Sequence, residues 1–107
     1  MDTETIKDEA DIAGSMKAMA HPVRVRILRL LNERENRGMT VREIQKHLGL
    51  TQPETSRHLL IMKMHHILSH AKKGSSVFYG LNRENSFSVY LATYLKGRAR
   101  SRNEKEK

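Results

Sequence analysis

Two groups of side chains in this sequence could do chemistry. The first is Gln52, Thr55, Ser56 and Arg57. Gln can meet adenine with two hydrogen bonds at once and Arg can do so with guanine, while Ser and Thr serve either a base or a phosphate. The other reading of this run is a solvated helix face. The second group is histidine: six in all, with His58, His65, His66 and His70 close in sequence. Neutral imidazole is a common zinc or nickel ligand. No Asp or Glu lies between residues 58 and 70 to complete a site, and His65 and His66, being adjacent, point in different directions on a helix. Structural or solvated histidine is the simpler reading, so no metal is expected. There is no nucleophile–base set, phosphate loop or pair of acids in a plausible cleft. An enzyme is therefore not expected, and no cofactor is implied.

The first group depends on the stretch from Thr40 to Leu68. Thr40-Val41-Arg42-Glu43 is a capping-box pattern, a hydroxyl with a carboxylate three residues on. Val41, Ile44 and Leu48 then recur at helical spacing, and Gly49 is placed to stop the helix in a left-handed cap. Thr51-Gln52-Pro53-Glu54 repeats the pattern, with proline in the first turn where its missing N–H is not needed. Glu54 could accept from cytosine, but capping needs no partner and is preferred. The helix opened there starts polar and turns apolar at Leu59, Leu60, Ile61 and Met62, a run expected to be buried. A helix polar at its start and anchored at its end can push the polar end into a groove, as the second helix of a helix-turn-helix does.

The remaining elements must hold that pair of helices. Ile6, Ile12, Met16 and Met19 form a stripe on a first helix, with Asp8, Glu9 and Asp11 near its favourable end; Gly14 weakens it. His21-Pro22 starts a second helix whose Val23, Ile27, Leu28, Leu30 and Leu31 make it the central core element. It is expected to end near Asn36 to Gly38. Met39 opens a short strand leading into Thr40. Leu68 to Lys72 and Ser76 to Leu81 read as a hairpin around Lys73-Gly74-Ser75, with a basic tip able to approach phosphates. Asn85 or Ser86 caps a last helix with Phe87, Tyr90, Leu91, Tyr94 and Leu95 in one stripe. The fold expected is mainly α with a small β-hairpin, in the order α-α-β-α-α-β-β-α. Residues 1–97 make one domain, and residues 98–107, basic and without an apolar anchor, are expected to be a disordered tail.

Composition sets the class. A chain of 107 residues is one domain with a small core, of the kind often completed by dimerisation. Without cysteine there is no disulfide or thiolate chemistry. With no signal-like start and no membrane-length apolar run, a cytoplasmic location and no membrane are expected. The net charge is +8, distributed as −4 over residues 1–11, +4 over residues 96–107 and +8 between them. A basic folded part suits a polyanion, although basic surfaces also serve solubility.

Three blocks carry a family likeness. His21-Pro22-Val23-Arg24-Val25-Arg26-Ile27-Leu28, then Leu48-Gly49-Leu50-Thr51-Gln52-Pro53-Glu54-Thr55-Ser56-Arg57-His58-Leu59, then Gly74-Ser75-Ser76-Val77-Phe78-Tyr79, resemble the ArsR/SmtB winged helix-turn-helix repressors in order and spacing over residues 14–95. The resemblance implies a homodimer joined through its first and last helices. Ile12, Met16, Met19, Phe87, Tyr90, Leu91 and Tyr94 are the expected interface. Such a pair would present two recognition helices to successive major grooves of double-stranded DNA and read an inverted repeat. Gln52, Thr55, Ser56 and Arg57 would face bases. Thr40, Arg42, Lys46, Lys72, Lys73, Ser75 and Ser76 would face the backbone, supplying affinity but not sequence choice.

The likeness has limits. The family's cysteines on the first helix of the motif have no counterpart in Val41–Leu48, and its Asp/His and His/Glu pairs have none in Phe87–Lys96. Metal and thiol sensing therefore do not carry over, and the inducer is unknown. At the end of the recognition helix His65-His66 stands where many relatives have Ala-Gly. If the turn is kept, His66 must adopt positive φ, which His tolerates better than branched residues do. The competing function is a protein-interaction module on the same scaffold without DNA. RNA binding is disfavoured by the scarcity of aromatics for stacking.

Overall fold

The computed structural model describes residues 3–34 and 37–106. The described elements are α1 Thr3–Met19, α2 Pro22–Glu33, α3 Val41–Leu48, α4 Gln52–Met64, β1 Leu68–Lys73, β2 Ser76–Leu81 and α5 Ser86–Glu106. This is the expected winged helix-turn-helix order, with one reduction. Met39 pairs with Tyr79 as a single antiparallel bridge, N–H to C=O at 2.8 Å and 2.7 Å, and is not a strand of its own.

Each helix begins and ends for a local reason. Pro22 sits in the first turn of α2 behind His21, whose extended backbone places ring Nδ1 to accept the Val23 N–H at 3.2 Å. α2 stops at Glu33, short of the expected Asn36–Gly38; Asn36 itself lies outside the described residues. The Thr40–Glu43 box forms: the Thr40 hydroxyl accepts the Glu43 N–H at 3.2 Å, and the Glu43 carboxylate accepts the Thr40 N–H at 3.2 Å. That Thr40 N–H, with the hydroxyl behind it, holds the Glu43 carboxyl below the usual carboxylate range. Gly49 closes α3 at φ 67°. At α4 only half of the box is present. Thr51 accepts the Glu54 N–H at 3.3 Å, and its hydroxyl donates to the Glu54 carboxylate at 2.9 Å.

The end of α4 is a Schellman motif built on histidine. His66 stands at φ 58°. Its N–H donates to Lys63 C=O, and the Ile67 N–H reaches back to Met62 C=O, both at 2.9 Å. The side-chain amides of Asn82 and Asn85 donate to the His66 carbonyl at 2.8 Å and 2.9 Å. Two amides from the hairpin's far side thus hold a backbone conformation that glycine would adopt without help.

α2 is the central core element, as expected. Its Ile27, Leu28 and Leu31 have no exposed surface, and the helix packs against α1, α4, α5 and β2. Each such side chain contributes about 2 kcal/mol through burial. Ile44 from α3, Leu59 and Met62 from α4, Met39, Ile67, Leu68 and Leu81 around the hairpin, and Ala92 and Leu95 from α5 complete one core. The hairpin pairs Leu68 with Leu81 through to Lys73 with Ser76. In its two-residue turn only Gly74 has positive φ, 64°, the pattern of a type II′ turn.

Four sequence expectations are corrected here. Met19 is buried in its own chain, so it belongs to the core and not to an outer face. Leu60 is 56% exposed, because it points away from the α4 face that carries Leu59 and Met62. The α5 stripe divides: Ala92 and Leu95 are buried, Phe87 and Leu91 half-buried, while Tyr90 and Tyr94 turn outward. Residues 98–106 continue α5 as helix. A helix already nucleated extends at little cost, and the Arg, Ala, Lys and Glu beyond Gly97 are good helix formers with no proline among them. The helical backbone includes Ile6, whose side chain lies outside the described residues.

Gly38 locks the entry to α3. At φ 68° it lies so close to the hairpin that an added Cβ would stand 2.9 Å from the Tyr79 carbonyl oxygen. Gly38→Ala is expected to lose roughly 2–3 kcal/mol of stability from the left-handed conformation and the displaced bridge together. Urea unfolding checks this; an unchanged midpoint would mean that the segment re-forms elsewhere.

Candidate nucleic-acid interface

The second helix of the pair, α4, has a wet front and a dry back. Gln52, Ser56 and Arg57 are exposed over its first two turns, together with Pro53 and Glu54. The back is held by Leu59 and Met62, fully buried. Thr55 belongs to that back. It has no exposed surface, and its hydroxyl donates to the Thr51 carbonyl at 2.9 Å. Thr55 therefore leaves the set of base-reading candidates. The sequence reading missed this because Thr is polar and its turn is otherwise exposed; only tertiary packing singles it out.

The flanking basic groups are exposed on two elements. Arg42 and Lys46 lie one turn apart on α3, and Lys72, Lys73, Ser75 and Ser76 cluster at the hairpin tip. Lys73 Nζ lies over the Phe78 ring, 5.5 Å from its centre, which restricts the side chain without neutralising it. Thr40 differs from these. Its N–H and hydroxyl both donate to the Glu43 carboxylate, at 3.2 Å and 3.0 Å, so neither is left for a phosphate.

Behind α4 lies a contact that sequence spacing does not show. Arg24 Nε donates to His58 Nδ1 at 3.1 Å, and Arg24 Nη1 donates to the Ala18 carbonyl at 3.0 Å. The His21 ring meets His58 edge-on, with centres 4.7 Å apart. Burial first, then the charges of His21, Arg24 and Arg57, hold the His58 imidazole below its ordinary range, with Glu54 acting in the opposite sense. His58 is thus part of the framework, spent on α2. Among the described residues no three His, Cys, Asp or Glu side chains converge to hold a metal ion.

Several large apolar side chains are also exposed. Ile12 and Met16 on α1, Tyr90 and Tyr94 on α5, and Leu60 and Met64 on α4 are each at least 42% exposed. Of the expected interface residues, Ile12, Met16, Tyr90 and Tyr94 remain available, with Phe87 and Leu91 partly so. Leu60 and Met64 were not among the residues expected at the surface.

A capped two-helix motif with its second helix bared at the start, followed by a hairpin with a basic tip, defines a winged helix-turn-helix. The family model described as "Bacterial regulatory protein, arsR family" matches residues 21–65. The transcriptional repressor SdpR of Bacillus subtilis is 36% identical over 66 residues, 62% of this chain and 70% of SdpR. This chain belongs to the arsR family of bacterial regulatory proteins, a family of regulators and not of enzymes. Among solved structures it is similar to the transcriptional repressor PagR of Bacillus anthracis, with TM-score 0.73, 28% identity, and 84% and 98% of the two chains covered. The homodimeric winged helix-turn-helix DNA-binding domain Mb0332 of Mycobacterium bovis shares the fold at TM-score 0.79, with 19% identity over 97% of this chain and 92% of that one. No helix among the described residues is long and apolar enough to cross a membrane.

Proposed function

We propose that this protein is a homodimeric repressor that occludes a promoter by binding an inverted-repeat operator in double-stranded DNA. The observation that carries this reading is the division of α4: Gln52, Ser56 and Arg57 bare, Thr55, Leu59 and Met62 buried. Gln52 and Arg57 read base edges in the major groove, and Ser56 serves base or phosphate. Arg42, Lys46, Lys72, Lys73, Ser75 and Ser76 hold the backbone on either side. Two copies meet through α1 and α5, covering Ile12, Met16, Tyr90 and Tyr94, and so set two α4 helices about one helical turn of DNA apart. The names of SdpR and PagR as repressors, and the homodimeric state of Mb0332, support the same reading. Release follows a signal that is neither a thiol nor a metal at the family's usual positions, since the chain has no cysteine and Phe87–Lys96 lacks those ligand pairs.

Fluorescence anisotropy on specific and scrambled duplexes, over a range of salt, tests the backbone role. Lys73→Ala is expected to weaken both duplexes equally and to lower the slope of log affinity against log salt by about 1 per binding subunit. Salt-independent binding, or none, would instead favour a scaffold that does not bind DNA.

A further inference from the structure

The guanidinium of Arg24 joins three helices. It projects from the first turn of α2, donates through Nη1 to the Ala18 carbonyl at the end of α1, 3.0 Å away, and donates through Nε to His58 Nδ1 on α4, 3.1 Å away. Ala18 carries one of the last carbonyls of α1, which have no partner within that helix and lie at its negative end, where a cation is favoured. His58 is the residue after Arg57 on α4 and is half-buried.

The direction of these bonds fixes the protons. Arg24 Nε can only donate, so His58 Nδ1 is a bare acceptor and the imidazole is neutral with its proton on Nε2. A second proton on His58 would occupy Nδ1, end the bond from Arg24, and set an imidazolium against a guanidinium.

We propose that Arg24 and neutral His58 are positioning residues for DNA reading: one guanidinium ties the end of α1 to the back of the recognition helix, and protonation of His58 releases that tie. The proposal rests on the DNA-binding function above. α1 carries Ile12 and Met16 of the pairing surface, and α4 carries Gln52 and Arg57. Arg24 therefore helps fix where each reading helix lies relative to the two-fold axis, and so which half-site spacing the pair accepts.

The groups bearing on His58 are His21 and Arg24 from the start of α2, and Arg57 and Glu54 on α4 itself. Three of the four make the added charge less favourable. The neutral form is thus favoured in the folded protein. The tie is present above the imidazole's unperturbed range, about 6.5, and is lost as pH falls through the lower folded value. This sign is opposite to that of histidines facing DNA, whose protonation strengthens binding.

The experiment measures operator and random-duplex affinity from pH 8 to 5 for the wild type, His58→Asn and Arg24→Lys. The operator is the best duplex selected from a random pool. Asn places an acceptor near Nδ1 but takes no proton. On acidification the wild type is expected to lose about tenfold in operator affinity relative to His58→Asn, the cost of one hydrogen bond to a charged group. Arg24→Lys keeps the charge but cannot span both acceptors. It is expected to bind random duplex as the wild type does, to lose about tenfold on the operator, and to tolerate altered half-site spacing. Should either variant fail to fold, wild-type NMR decides. The Arg24 Nε–H is expected to exchange slowly while His58 is neutral and fast once it titrates.

Wild type and His58→Asn with the same pH profile, Arg24→Lys with wild-type operator affinity and spacing, or an Arg24 Nε–H indifferent to His58 would each overturn the proposal. Failure of the wild type to bind any duplex would overturn the DNA function and this proposal with it.

Discussion

Replacing Tyr90 and Tyr94 together with aspartate is expected to leave a folded monomer that has lost at least about a hundredfold in operator affinity. The two rings are 74% and 61% exposed and lie one turn apart on α5, while Ala92 and Leu95 of the same helix hold it to the core. The substitution therefore leaves the subunit's own packing alone and places two carboxylates on the surface proposed to receive a second copy. Linking two binding modules raises overall affinity by roughly 10²–10⁴ over one module, and separating them forfeits that factor. Sedimentation gives the oligomeric state and anisotropy the affinity. A double variant that remains dimeric with wild-type affinity would move the pairing surface elsewhere, with Leu60 and Met64 on α4 the next candidates.

The second large effect concerns sequence choice. Arg57→Ala is expected to reduce the ratio of operator to random-duplex affinity by roughly 10- to 100-fold, the worth of one bidentate base contact. Binding to random duplex changes far less, because only one of many cations is removed. Arg57 is exposed, so the melting temperature should stay within a degree or two of the wild type. Competition assays with selected and scrambled duplexes read the ratio directly. An unchanged ratio would remove Arg57 from the reading set and leave Gln52 and Ser56 to carry discrimination.

What could be read from the sequence was local chemistry. Thr40 with Glu43, Gly49, and Pro53 behind Thr51 mark both helices of the motif because each device acts within a few residues of itself. The left-handed His66 was legible through the family resemblance: where relatives have Ala-Gly, a kept turn puts positive φ on His66. What was not legible came from distant parts of the chain. A rule based on polarity exposes Thr55 and buries Leu60, yet packing does the reverse. Met19 shares a helical stripe with Met16, but α1 crosses its neighbours so that one is 5% exposed and the other 58%. The contact from Arg24 to His58 spans 34 residues and has no periodic signature. Residues 98–106 failed in another way. Composition rules for disorder treat a segment in isolation, whereas this one extends a helix that Ala92 and Leu95 already anchor.

The pH behaviour of Glu43 and His58 points the same way in sign. Both groups have values lowered in the folded protein, Glu43 through the Thr40 N–H and His58 through burial. Each contributes stability that is present above its unfolded value and lost as pH falls through the folded one. For Glu43 that window lies below the ordinary carboxylate range; for His58 it lies below the ordinary imidazole range. Acid therefore acts against both the back of α4 and the start of α3.

The most direct measurement is selection of bound duplexes from a random pool by the full chain at fixed salt. The bared polar start of α4, doubled by the proposed two-fold axis through α1 and α5, predicts a palindromic consensus. Its half-sites should be centred about one helical turn apart, with a guanine in each half whose preference disappears in Arg57→Ala. A pool that returns no consensus, or a single unrepeated site indifferent to Arg57, would contradict it.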